Sequence, residues 1–143
     1  MDQRVEAPAP DEWVRIESQR DWVRGHFEAA AQHKYAILAE KLRLLQTILD
    51  AEWIERHETF KLQCLGITLG DALCQELRME WVMVEDDHGR DPALRLPGTT
   101  VIVFPLTMIS KRVERGEIPN VAILFRGVVQ DVREMAPEYR LDG

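Results

Sequence analysis

The side chains in this chain that could do chemistry are few and scattered. The four histidines are His26, His33, His57 and His88. No two form a His-x-x-x-His pair, and Cys64 and Cys74 form no Cys-x-x-Cys, so the ligand spacing of a zinc site is missing. The run Asp86-Asp87-His88-Gly89-Arg90-Asp91 is acidic but lacks the alternating oxygen positions of a calcium loop, and it reads as a solvated turn. Ser18 and Ser110 stand outside any Gly-x-Ser-x-Gly elbow. Leucines surround both cysteines, which read as small buried apolar residues rather than nucleophiles. No glycine-rich loop ends in Gly-Lys-Ser/Thr, so nothing cradles a phosphate. The residues therefore predict no metal, no cofactor and no catalytic group.

One polar cluster stands out. Lys111-Arg112-Val113-Glu114-Arg115-Gly116-Glu117 places three cations within five residues. Glu114 and Glu117 can pair with them and leave a solvated face. In an acidic protein the same cluster can instead serve as a recognition patch for an acidic partner or an anion. Trp81, at the start of an apolar strand pattern, can sit in the core or line a groove. Asp87 and Arg90 lie in the turn that follows. Trp81, Asp87, Arg90, Lys111, Arg112, Arg115 and Glu117 are the candidate binding residues, with no catalytic residue among them.

A chain of 143 residues with 45% apolar and 30% charged composition fits one globular domain. A formal charge of −7 opposes binding to nucleic acid or to anionic membranes. No apolar run approaches the roughly 18 residues of a membrane span. Residues 1–12 hold no apolar signal core. On one helix, Cys64 and Cys74 would stand about 15 Å apart, too far to bridge. A cytoplasmic location is the expectation.

The pattern of elements predicts an α+β fold. Residues 1–10, with Pro8 and Pro10, read as a frayed tail, 11–136 as a single domain and 137–143 as a loose end. A first helix lies between Asp11 and Phe27, capped by Asp11 or Ser18. Tyr35, Leu38, Leu42, Leu45 and Leu49 make the apolar stripe of a second helix, with Lys41 off the stripe. That stripe suits packing inside the domain, or alternatively a homodimer seam. A third helix runs from about Phe60 to Arg78. It carries Leu62, Leu65, Leu69, Leu73 and Leu77 on one stripe and Gly66, Gly70 and Cys74 on a small-residue seam. Strands follow at 81–84, 93–96 and 100–104, joined by turns as a three-stranded antiparallel meander. Two C-terminal helices close the chain, one capped by Thr107 and one by Asn120 and ended by Pro137.

The run from Leu65 to Glu117 also carries a resemblance. Leu65-Gly66, Leu69-Gly70, Glu80-Trp81-Val82, Asp87, Gly89-Arg90-Asp91, Phe104-Pro105-Leu106, Ile109-Ser110-Lys111-Arg112 and Gly116-Glu117 occur in that order. Residues 62–130 resemble the bacterial family called domain of unknown function 3806. The resemblance implies a bacterial origin and brings no activity, cofactor or catalytic residue.

Two functions are expected from different classes. The first is a non-enzymatic protein-interaction module of adaptor or immunity type, binding another protein or itself through the surface around Lys111 to Glu117. The second is a small-molecule-binding or enzymatic domain with a polar pocket between the sheet and the central helix.

Overall fold

Helix α3 (Thr59–Leu77) forms where the leucine spacing predicts it and is the plank on which the other elements rest. Leu62, Leu65, Leu69, Leu73 and Leu77 are all fully buried, each contributing about 2 kcal/mol of apolar burial. This helix belongs to a computed structural model that describes residues 3–136. The expectations for 137–143, including Pro137 as the end of the last helix, lie outside the described residues.

Around α3 the chain forms β1 (Arg4–Glu6), α1 (Pro10–Arg24), a 3₁₀ segment (Ala29–Ala36) and α2 (Leu38–Asp50) before it. After it come β2 (Glu80–Asp86), β3 (Gly89–Arg95), β4 (Ile102–Val103), a 3₁₀ turn (Pro105–Thr107), α4 (Met108–Glu114) and α5 (Val121–Met135). The fold is α+β in one compact domain. The predicted meander is present as β2-β3-β4, but the antiparallel sheet has four strands in the order β1-β2-β3-β4.

The extra strand is a correction to the three-stranded reading. Residues 4–6, read as part of a frayed tail, pair with β2, Val5 standing opposite Val84. Three residues are too short to show a period of two. They are held by tertiary contact: Val5 packs on the cluster of Val82, Val84 and Ala93, and Arg4 pairs with Glu85 at 2.8 Å. Pro10 does not exclude a helix either. It occupies the first turn of α1, where its missing N–H is no loss. The cap is neither Asp11 nor Ser18: Glu12 reaches back to accept from the Ala9 N–H at 2.9 Å.

Inside the sheet, β3 is longer than predicted and the expected third strand is shorter. The turn contracts to Asp87-His88, closed by Gly89 at φ +129°. Pro92 sits within β3, tolerated because β4 pairs only with Leu94 and Arg95 and leaves the strand's other edge open there. Residues 100–104 reduce to Ile102–Val103. Thr99 Oγ1 accepts from the Val101 N–H and donates to the Leu96 carbonyl, so a side chain takes the place of ladder bonds.

The second helix turns its apolar face differently from the predicted stripe. Leu44, Leu45, Ile48 and Leu49 are buried, Leu38 and Leu42 only partly so, and Tyr35 lies in the 3₁₀ segment. Lys41 is 4% exposed, its ammonium donating to the Tyr35 carbonyl and lying 5.0 Å from the Tyr35 ring centre. Most of the stripe is thus taken up inside the domain. Asn120 caps α5 as predicted, accepting from Ile123 N–H at 3.0 Å.

The glycine seam on α3 exists for close approach. A Cβ on Gly66 would stand 2.4 Å from the Leu106 carbonyl oxygen and 2.7 Å from that of Pro105. One on Gly70 would stand 2.5 Å from the Trp81 ring. The seam therefore receives the 3₁₀ turn and a sheet tryptophan. Gly127 on α5 meets nothing within 4 Å. Gly66→Ala should cost about 3 kcal/mol in urea unfolding, because a backbone cannot yield as a side chain can. Gly127→Ala should gain up to about 1 kcal/mol from helix propensity.

Candidate functional site

The most concentrated chemistry in the molecule is at Asp71, a carboxylate on the otherwise apolar inner face of α3. Arg20 of α1 grips it twice, Nε donating to Oδ2 at 2.6 Å and Nη2 to Oδ1 at 2.8 Å. The Tyr35 hydroxyl donates to Oδ2 at 2.6 Å and Trp81 Nε1 to Oδ1 at 3.0 Å. Each oxygen accepts two bonds, which fills the carboxylate's capacity. Thr68, fully buried, lies 3.0 Å from the Tyr35 oxygen.

The surroundings titrate accordingly. Burial and the adjacent Asp71 carboxylate push the Tyr35 hydroxyl above its ordinary value. Burial works against the charge of Arg20, but Asp71 overrides it and raises its pKa. Burial lowers the Lys41 ammonium. Burial pushes the Cys64 thiol up to about 11, and burial with the Asp71 charge pushes Cys74 up to about 12, so neither is a ready thiolate. A general base needs a free lone pair within reach of substrate, and Asp71 has none. The centre ties α1, the 3₁₀ segment, α3 and β2 together.

The sequence-predicted binding residues separate into distinct neighbourhoods. Trp81 is buried as one of the four donors to Asp71. Arg90 is held at the rim of the sheet: Glu12 takes its Nε at 2.7 Å and its Nη2 at 2.8 Å, and Nη1 pairs with Glu6 and Glu85. Asp87 occupies the exposed β2–β3 turn. Lys111 and Arg112 are on α4, where Arg112 Nη1 donates to the Met108 carbonyl at 2.8 Å. Arg115 and Glu117 follow α4 and pair with each other at 2.9 Å. Of the seven, the structure brings together Arg112, Arg115 and Glu117 at the end of α4, the Arg112 carbonyl accepting from the Arg115 N–H at 3.1 Å and from the Glu117 N–H at 3.0 Å, while Trp81 and Arg90 lie in other neighbourhoods.

Glu117 also borders a pocket that sequence reasoning missed. Its volume is about 420 Å³. The floor is apolar, formed by Ile48, Leu49, Ile54 and Val113, and the rim carries Glu52, Glu55 and Glu117 with one cation, Arg56. Ile118 stands at the edge, 54% exposed. Gly116 shapes the corner at φ +88°, a conformation that favours glycine, and a Cβ there would approach the Arg56 guanidinium at 3.0 Å. Arg56 itself donates to the Glu114 carbonyl at 3.3 Å, fastening the 51–58 loop to the end of α4. Ile118 also borders a groove between α2 and α5, where Gln46 donates to the Pro119 carbonyl and accepts from the Val121 N–H. No sequence period marks a pocket assembled from two helix ends and the two loops that follow them.

Among the described residues no group of three or more His, Cys, Asp or Glu converges to hold a metal, and no helix is long and apolar enough to cross a membrane.

The model of the domain of unknown function DUF3806 matches residues 41–125. Every residue named on the 420 Å³ pocket lies within that segment, as do Asp71 and Trp81. Arg20 and Tyr35 do not. No curated protein matches the chain. A crystal structure from Bacteroides thetaiotaomicron VPI-5482, 18% identical, matches 90% of this chain with a TM-score of 0.72. The match spans 48% of that longer chain. At this identity the likeness is one of fold, and it extends the shared architecture beyond the family segment.

Two outcomes follow from the polar centres. Asp71→Asn should destabilise the fold by about 3 kcal/mol in denaturant, because Arg20 loses its bidentate carboxylate and keeps only the exposed Glu17 as partner. Arg20→Met combined with Asp71→Leu should recover much of that loss. Glu12 behaves differently: the Arg90 hydrogen bonds, with the Ala9 N–H, lower its pKa from 4.5 to about 2. Its folded value lies below its unfolded one, so its contribution is present above about pH 4.5 and is lost as pH falls towards 2. Solvent screening keeps it small. In acid titrations followed by circular dichroism, Glu12→Gln should lack this component.

Proposed function

Because this chain belongs to the DUF3806 family, whose description names no activity, we propose from its own geometry that it is a non-enzymatic protein-interaction module. The observation that carries this reading is the pocket at the corner of α2, the 51–58 loop and the end of α4, apolar below and acidic at the rim. A partner suited to it offers one apolar side chain for the floor and Lys or Arg beside it for Glu52, Glu55 and Glu117. Burying an apolar anchor within a polar rim is the usual anatomy of an interaction hot spot.

This shifts the expected partner chemistry. The cationic run at 111–115 suggests an acidic partner, but Arg115 is neutralised by Glu117 and Arg112 turns back on its own helix. What remains at the pocket itself is a rim of net negative charge, in which Glu52 and Glu55 outnumber Arg56 and Glu117 is shared with Arg115. The saturation of Asp71 argues in the same direction, because the most perturbed polar centre has no vacant lone pair for a substrate.

Panning a displayed library of random peptides against the chain tests the reading. Enriched peptides should carry an apolar residue flanked by basic ones. Their affinity should fall at least about tenfold for Ile118→Arg and for Glu117→Lys, both exposed positions that leave the core intact. An enriched set without basic residues, or one indifferent to both variants, would sink the proposal.

A further inference from the structure

The inward face of α1 buries Ile16, Gln19 and Val23. Helical spacing calls for an apolar side chain at the middle position, and the chain places a carboxamide there. Gln19 is only 3% exposed, yet its amide makes no hydrogen bond with any described residue. Among the described residues, every side-chain polar atom fully shut off from solvent has a partner. The Gln19 amide therefore opens onto the cleft that Gln19 lines, a space of about 310 Å³ between α1, α3 and β3. An amide on a nearly buried face that only the cleft can satisfy is less favourable there than a leucine, so its presence asks for a reason.

The rest of the cleft supplies one. Gln63 enters from α3, Arg15 lies one turn before Gln19 on α1, and Asp91 comes from β3. None of these three side chains is hydrogen-bonded or ion-paired to another described residue. Arg90 also borders the space, but Glu12 already occupies its guanidinium. The two arginines and two carboxylates balance, leaving Arg15 and Asp91 as a separated, unengaged pair of opposite charges. Ile16 and Met83 provide apolar wall. A solute that matches carries both charges, a short apolar part and no net charge.

We propose that this cleft binds a zwitterionic solute of the free amino-acid class. Its carboxylate faces Arg15 and its ammonium faces Asp91. The Gln19 and Gln63 amides complete the hydrogen bonds, and its side chain rests against Ile16 and Met83. A few convergent polar groups over an apolar wall, in a space of this size, are the usual build of a small-ligand site. The site is independent of the acidic-rimmed pocket, and either can fail without the other.

Calorimetric titration of the intact chain with each of the twenty free L-amino acids, and with acetate and ethylamine as single-charge controls, tests this. At least one amino acid should bind saturably and both controls should bind more weakly. Arg15→Ala, at an exposed position, and Gln19→Leu should each weaken binding by about tenfold or more. Without ligand, Gln19→Leu should melt at a higher temperature than the parent chain. The proposal is overturned if no amino acid binds saturably or if a single-charge control binds as well. It is equally overturned if either variant binds as the parent does, or if Gln19→Leu melts lower, which would make the amide a structural group.

Discussion

The whole arrangement depends on one carboxylate accepting four hydrogen bonds in a part-buried place. Asp71 would be intolerable among leucines if any of its lone pairs were empty. Arg20, Tyr35 and Trp81 arrive from three other elements to fill them. Satisfying the charge therefore sets where α1, the 3₁₀ segment and β2 can lie relative to α3. The same saturation withdraws Asp71 from chemistry. A polar centre of this kind specifies an arrangement more than it adds stability, since a well-packed apolar replacement often does as well energetically.

The keystone also bears on where the domain ends. The family segment begins at residue 41 and contains Asp71 and Trp81, but it lacks two of the three partner side chains. Arg20 and Tyr35 come from the preceding helix and 3₁₀ segment. Taken alone, the segment would leave the carboxylate with the Trp81 bond and little else. The structural likeness over 90% of the chain agrees that the N-terminal elements are part of the architecture. The second tie is the Arg90 clamp, which joins β3 to β1 through Glu6 and to the start of α1 through Glu12. It sits at the sheet edge in partial contact with water and contributes correspondingly less.

Around this rigid centre the surfaces that can receive something lie at the junctions between elements. The acidic-rimmed pocket forms where a loop is fastened to a helix end by Arg56. The neutral cleft forms where α1 leans on α3 and on β3. The cleft is built on α1 and α3, which the Asp71 network joins, and the acidic-rimmed pocket borders α4, which follows the 3₁₀ turn seated on the glycine seam. Gly66 and Gly70 act by allowing backbone and ring to come closer than any side chain would permit.

Much of the fold could be read from the residues because periodicity is a local property. Five leucines at helical spacing are enough to place α3, and Asn120 before an apolar run is enough to start α5. The strand pattern after Trp81 gave the meander, and motif order from Leu65 to Glu117 gave the family. What local pattern could not carry was everything that acts across the chain. Three residues of β1 have no period to detect and exist because β2 offers them an edge. Lys41 reads as surface until the Tyr35 carbonyl and ring are brought over it. Trp81, Arg90 and Glu117 share a motif string but answer to different neighbours, so they never form one site. Asp71 falls on the polar side of the α3 pattern in sequence, and Gln19 carries no signal there, yet both prove to be polar residues on inward faces. One has every bond it can make and the other's amide has none to a described residue, because hydrogen-bond satisfaction depends on which distant donors the fold delivers, and no residue encodes that by itself.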